Sequence, residues 1–287
     1  MATQNSVSDL IKLAAGELAA AGIADPRREA SSLLSFAISR DRTFIIAHPE
    51  FEVPAGDLLR FRSILSRRAK REPLRYITGK QEFYGLEFDV EPGVLIPRPE
   101  TEILVESAVG FLANISKPRF CEVGLGSGCI SAAILANAPE ATGVGLEISE
   151  AAIAIAARNV SNLGIASRLE IRRSNVFSAL ARDERFDALV SNPPYVPLAD
   201  IAGLQPEVRD HEPLTALSDG GDGLSIVREI IGGAPGHLNP RGLLLVEIGF
   251  SQSKEVSAMV DPNTWDEPVF IDDLQGIPRI LSVRLRP

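Results

Sequence analysis

Phe120-Cys121-Glu122-Val123-Gly124-Leu125-Gly126-Ser127-Gly128 reads as a short apolar strand running into a glycine-rich turn, with a stretch of helical composition beyond it. Glycines at alternate positions let the backbone turn tightly and approach a ligand that side chains would block. A junction of this kind in an α/β sheet carries a small-molecule cofactor, although the same pattern serves dinucleotides and, in places, only helix packing. The spacing here is G-x-G-x-G rather than the dinucleotide G-x-G-x-x-G. No Lys-Ser/Thr pair follows, as a triphosphate-binding P-loop requires, so a nucleoside triphosphate is not expected.

Outward from this junction, short apolar runs alternate with helical stretches. Strands are expected at 143–146, 169–171 and 186–190, with a helix through Asn159 after the second strand. Beyond a polar, proline-rich loop come a helix over 224–231 and strands at 243–248, 269–271 and 280–285. This is a doubly wound α/β domain, expected to span 98–287. Before it, Phe83, Leu86, Phe88 and Val90 mark a β-hairpin linker over 79–97, closed by Pro92-Gly93. Residues 1–78 read as a small helical domain. Leu10, Ile11, Ala14, Leu18 and Ala21 fall at helical spacing, as do Ala30, Leu33, Leu34 and Ala37 after Asp25-Pro26. A third helix carries Leu58, Leu59, Phe61, Ile64, Leu65 and Ala69 beside Arg60, Arg62, Arg67, Arg68, Lys70 and Arg71. That basic face reads either as a docking surface or as a solvated face.

The 287 residues suffice for a large core domain and a smaller partner. The net charge of −9 argues against duplex DNA as the main target, because DNA-binding surfaces displace counterions with basic groups. Cys121 and Cys129 suggest neither a disulfide framework nor a metal site. No stretch has the apolar length of a membrane span, and Asp9, Lys12 and Glu17 interrupt any signal-peptide core. A cytoplasmic protein that does not bind membranes is expected, and a monomer.

Glu147 closes the second strand of the α/β domain, where a carboxylate can accept hydrogen bonds from both hydroxyls of a ribose. The alternative is a surface glutamate capping the helix that begins near Ser149-Glu150. Asn175-Val176-Phe177 follows the third strand and reaches the same crevice. Asn175 can bond an adenine edge and Val176 or Phe177 can pack on its face, or the segment is an ordinary turn with core apolar residues. Asn192-Pro193-Pro194-Tyr195 follows the fourth strand. Its prolines remove backbone donors and leave carbonyls as acceptors, and Asn192 adds a side-chain oxygen. Two acceptors can hold both hydrogens of a planar NH2 group. The lone pair of such a nitrogen is delocalised, so holding and aiming it is what a catalyst can contribute. Tyr195 would wall the flat group.

Asn192-Pro193-Pro194-Tyr195 resembles the signature of amino-methyltransferases acting on adenine, cytosine or glutamine. Over its length the chain resembles the release-factor glutamine N5-methyltransferases, the PrmC/HemK family. The resemblance is carried by Arg71-Glu72-Pro73-Leu74-Arg75-Tyr76-Ile77-Thr78-Gly79, Leu95-Ile96-Pro97-Arg98-Pro99-Glu100-Thr101-Glu102, His211-Glu212-Pro213, Gly220-Gly221-Asp222-Gly223 and Glu247-Ile248-Gly249. It implies a Rossmann-like, seven-stranded class I methyltransferase domain joined by the hairpin to a substrate-docking helical domain. It further implies that Glu122, Gly124, Leu125, Gly126, Ser127 and Gly128, with Glu147, Asn175, Val176 and Asn192, hold S-adenosyl-L-methionine. By the same likeness Asn192, with Pro193, Pro194 and Tyr195, holds the glutamine amide of the Gly-Gly-Gln loop of class I peptide chain release factors. No metal enters this chemistry. A second protein, a small amide or, with less support, a DNA adenine are the other substrates in view. Glu122 and Glu147 stand where the family usually has aspartate, Asn175 replaces another, and Leu125 takes the place of a small polar residue. Arg98 and Glu100 are expected to form a structural ion pair near the cofactor.

Overall fold

A computed structural model describes residues 5–287; the first four residues of the expected 1–78 domain lie outside it. Its contacts divide the chain into two compact units. One holds the residues up to Lys80 together with Gln205–His211, and the other holds Gln81–Leu204 with Glu212–Pro287.

The first unit begins with α1 (Val7–Ala20), α2 (Pro26–Ala37), α3 (Arg42–Ala47), α4 (Ala55–Ala69) and α5 (Leu74–Thr78). Ser6 caps α1 by accepting from the Asp9 amide, and Pro26 opens α2 where its missing N–H costs nothing. Leu10 and Leu18 of α1, Leu33 and Leu34 of α2, and Phe61 and Ile64 of α4 share one core, as their spacing predicts. The basic face of α4 is less free than its sequence suggests. Arg68 is 4 % exposed and is held by Glu29 and by Glu207, the latter at 2.9 Å. Arg71 reaches the other oxygen of Glu207 at 2.6 Å, Arg67 pairs with Glu72, and Arg60 lies over the Phe36 ring. Arg68 and Arg71 are neutralised within their own unit, whereas Arg60 and Arg67 stay exposed, as on a solvated face.

In the second unit, β1 (Lys80–Phe83) and β2 (Leu86–Asp89) form the expected hairpin. Tyr84 and Gly85 make its two-residue turn, both at positive φ, 52° and 74°, the conformation that matches strand twist. Phe83 and Phe88 pack edge to face and enter the same core as Leu104 of α6 (Glu102–Leu112). The hairpin is therefore anchored in the core of the second unit.

The chain continues through β3 (Arg119–Val123), α7 (Cys129–Asn137), β4 (Thr142–Glu147), α8 (Glu150–Asn162), β5 (Leu169–Arg173) and β6 (Phe186–Ser191). The short helices α9 (Pro206–Arg209) and α10 (Leu214–Leu217) follow, then α11 (Ser225–Gly233), β7 (Leu238–Glu247), α12 (Ser253–Ser257), β8 (Val269–Asp272) and β9 (Pro278–Arg284). Seven strands form one sheet in the order β5-β4-β3-β6-β7-β9-β8. The first five are parallel, and β9 runs antiparallel between β7 and β8. This is the expected Rossmann-like methyltransferase sheet. Side chains alternate between two cores: Ala188, Val190, Leu243 and Leu245 face one, and Leu189, Leu244 and Val246 the other. The chain leaves β3 toward β4 and β5, then returns to place β6 on the other side of β3. Between β3 and β6 lies the switch point, where open α/β sheets bind ligands beyond their carboxyl ends.

Candidate cofactor and target site

Five neighbouring parallel strands each deliver a candidate residue at the same sheet edge. Gly124 follows β3, Glu147 ends β4, Asn175 comes soon after β5, Asn192 follows β6 and Glu247 ends β7. Val123 pairs in register with Ser191, whose hydroxyl donates to the Val123 carbonyl at 2.7 Å. The glycine loop and Asn192 therefore leave the sheet side by side. They open on a cavity of about 390 Å³ that Gly124, Leu125, Gly126 and Ser127 line together with Glu122 and Glu147. Asn175, Val176, Asn192 and Pro194 complete its wall among the expected residues.

Gly128, Pro193 and Tyr195 do not line this cavity. Gly128 stands at the N-terminus of α7 with φ 80°, and a Cβ there would meet that of Ala156 at 3.3 Å. It serves the turn and the packing of α7 on α8. Pro193 is buried. Tyr195 turns its hydroxyl to Glu247 at 3.2 Å while its carbonyl accepts from Gln252 at 2.9 Å, so its ring does not wall the unliganded cavity. Leu125 is 2 % exposed and fills the space a Cβ on Gly145 would need, 2.8 Å away. Its departure from a small polar residue is thus matched by a glycine on β4. Asn175 is exposed at the rim, and Val176 is buried with φ 45°.

Three amides of the loop are already engaged. Gly124 and Leu125 give their amides to the Leu146 carbonyl, and Gly126 gives its amide to Glu147 Oε2 at 2.9 Å. Glu147 Oε1 accepts from the Ser149 amide at 2.9 Å, while Ser149 itself caps α8. Each Glu147 oxygen keeps a lone pair for a hydroxyl. Glu122 is fully buried. One oxygen accepts from the amide and hydroxyl of Ser131, and Oε1 has no partner. Burial pushes its carboxyl up to about 8, against the Ser131 bonds that favour the ion. Asp219 also lines the cavity; burial opposes its ionisation, yet donors from Ser225, Gly221 and Gly223 hold it down at about 2. The cavity thus presents the carboxylates of Glu147 and Asp219, the buried carboxyl of Glu122 and three engaged loop amides, which suits a cationic nucleoside such as S-adenosylmethionine better than a phosphate.

Arg98 lines the same cavity but its partner is Glu212, at 2.6 Å, not Glu100. Glu212 is 6 % exposed and also accepts from the Ile96 amide. Burial raises its carboxyl and Arg98 opposes the rise. Thr101 and Glu247 had no role in the sequence reading. Asn192 Nδ2 donates to Thr101 Oγ1 at 3.1 Å, and Thr101 donates to Glu247 Oε2 at 2.7 Å. A carboxylate closing the apolar run Leu243-Leu244-Leu245-Val246 was the available signal. Among the described residues, no group of three or more His, Cys, Asp or Glu is placed to hold a metal, and no helix is long and apolar enough to cross a membrane.

Comparison with known proteins agrees with this geometry. Residues 9–79 match the PrmC N-terminal domain family, and residues 101–202 match the methyltransferase small domain family. The chain is 42% identical over 94% of its length to a release factor glutamine methyltransferase of Geobacter sulfurreducens, 93% of which is covered. It is 41% identical over 97% of its length to the enzyme of that name from Cereibacter sphaeroides, covering 98% of it. The fold is shared with a Thermus thermophilus 16S rRNA N2 methyltransferase solved in complex with S-adenosylmethionine and guanosine. That similarity has a TM-score of 0.54 at 17% identity and covers 72% of this chain and 50% of that one. With identities of 42% and 41% over nearly the whole chain, the chain belongs to the release factor glutamine methyltransferase family.

Proposed function

We propose that this protein transfers a methyl group from S-adenosylmethionine to the side-chain amide nitrogen of the glutamine in the Gly-Gly-Gln loop of class I peptide chain release factors. The observation that carries the reading is the single cavity into which the glycine loop, Glu147 and Asn192 all open. When bound, the cofactor supplies an electrophilic methyl group on a sulfonium. Glu147 offers two oxygens to the ribose hydroxyls, Val176 and Asn175 the adenine contacts, and the unpartnered Glu122 oxygen meets positive charge. Asn192 Oδ1 and the Pro193 carbonyl accept the two amide hydrogens and aim the nitrogen lone pair. Because that lone pair is delocalised, orientation is the main contribution the protein makes. The amide proton becomes acidic only after the nitrogen gains its methyl group, so no base need act first. The helical domain would dock the release factor, and a cytoplasmic monomer fits this role.

The test is methylation of purified release factor with labelled cofactor, wild type and with the loop glutamine changed to alanine. Label in the wild type alone is expected; label in both, or in neither, defeats the substrate assignment. Asn192→Ala should lower turnover about a hundredfold or more while leaving cofactor affinity within a few-fold.

A further inference from the structure

β6 and β7 are register-matched at Ser191 and Val246, so Asn192 and Glu247 follow paired residues at the same edge. Thr101, just before α6, sits between them, and both Thr101 and Glu247 are 2 % exposed. The Tyr195 hydroxyl reaches the second oxygen of the same carboxylate at 3.2 Å. An ionised carboxylate has no hydrogen to give, so both hydroxyls must donate to it. The only hydrogen of Thr101 is then spent, and what it turns toward Asn192 is a lone pair. Only the NH2 end of the Asn192 amide can answer that lone pair. A flipped amide would set two acceptors against each other in a buried position.

We propose that Glu247, acting through Thr101, is a positioning residue that locks the Asn192 amide with its oxygen toward the substrate, so that the site accepts an NH2 group. This rests on the reading of Asn192 as the amide acceptor. The same carboxylate fixes Tyr195, so one buried charge sets both ends of the Asn-Pro-Pro-Tyr turn. Burial pushes Glu247 up to about 7; the hydroxyls of Thr101 and Tyr195 and the charge of Arg279 on β9 oppose this, and Glu100 adds to it. Protonation gives Glu247 a hydrogen of its own, which frees the Thr101 hydroxyl to donate to Asn192 Oδ1 and unlocks the amide.

The experiment measures kcat, cofactor affinity and the pH profile of release-factor methylation for Thr101→Val, Thr101→Ser, Glu247→Gln and Asn192→Ala. Thr101→Val, which keeps shape without a hydroxyl, is expected to lower kcat about 10- to 100-fold with cofactor affinity within twofold. Thr101→Ser recovers turnover to within about threefold of wild type. The wild-type kcat falls on the acid side of about pH 7, and that limb is missing in Glu247→Gln. An acid limb unchanged in Glu247→Gln, or Thr101→Ser as impaired as Thr101→Val, overturns the relay. If Thr101→Val does not fold, the Glu247→Gln pH profile decides alone. Asn192→Ala with normal turnover would defeat the site assignment itself, whereas an inactive Asn192→Ala beside an unaffected Thr101→Val defeats only the relay.

Discussion

Cofactor binding should expel a proton from Glu122. Its carboxyl is fully buried, and burial lifts it from the usual 4.5 to about 8, against the amide and hydroxyl of Ser131. At pH 7 the unliganded protein therefore carries this group neutral in about nine molecules of ten, since one pH unit changes the ratio tenfold. S-adenosylmethionine brings a sulfonium and an ammonium, and a positive charge within about 4–6 Å of a carboxyl lowers its pKa by one to three units. Release then lies between about 0.4 and about 0.9 proton per cofactor at pH 7, and affinity rises with pH, by up to about tenfold per unit, until pH 8 is passed. Calorimetric titrations at one pH in buffers of different ionisation enthalpy measure the proton count as the slope of apparent against buffer enthalpy. Glu122→Gln keeps the shape and removes the titration, so its slope should vanish. A wild-type enthalpy independent of buffer, or an equal slope in the glutamine variant, would refute the reasoning.

The same group controls stability without cofactor. Its contribution is complete below the unfolded value of 4.5 and is lost as pH rises through about 8. Unliganded Glu122→Gln should therefore gain on wild type by up to about 1.4 kcal/mol per pH unit between pH 5 and pH 8, and urea melts with a constant gap would contradict this. Arg68→Ala leaves the Glu29 carboxylate without this partner, while Glu207 keeps Arg71, and should cost about 3–5 kcal/mol, whereas Arg67→Ala at the exposed Glu72 pair should cost under about 1 kcal/mol; equal chemical-melt shifts would mean the Arg68 cluster is no more than a surface pair. Gly145→Ala drives a methyl into Leu125 and should cost about 1–3 kcal/mol. Adding Leu125→Ala should cost less than the sum of the two single changes, and strict additivity would show that the contact relaxes freely.

The fold was legible wherever periodicity was long or the turn chemistry explicit. α1, α2 and α4 announce themselves by apolar spacing, and every strand of the large sheet falls on its apolar run. α3 and α5 escaped because six and five residues are too few to show a period, and their formation depends on Asp41 capping one and Gly79, at φ 74°, ending the other. The partners of Arg68 and Arg71 were not legible for another reason. Arg68 and Arg71 are neutralised by Glu207, distant in sequence, and local charge patterns cannot report such a partner.

In the site, the expected residues that the structure brings to one cavity lie at or just after the ends of strands whose neighbours the chain order itself suggests. Glycine loop, Glu147 and Asn192 come from β3, β4 and β6, which a doubly wound sheet places side by side. Glu247 lies equally close to Asn192 yet stayed without a role, because a glutamate at the end of an apolar strand has no meaning until its neighbour is known. Thr101 is harder still, since it precedes a helix and is brought in only by packing. Their importance follows from burial: in water a carboxylate would leave Thr101 and Asn192 free to rotate, but at 2 % exposure it must find donors, and the two hydroxyls it recruits belong to the residues that flank and form the Asn-Pro-Pro-Tyr turn. On the proposed reading, the motif supplies the acceptors for the substrate, and the buried charge beside it decides which way the Asn192 amide faces.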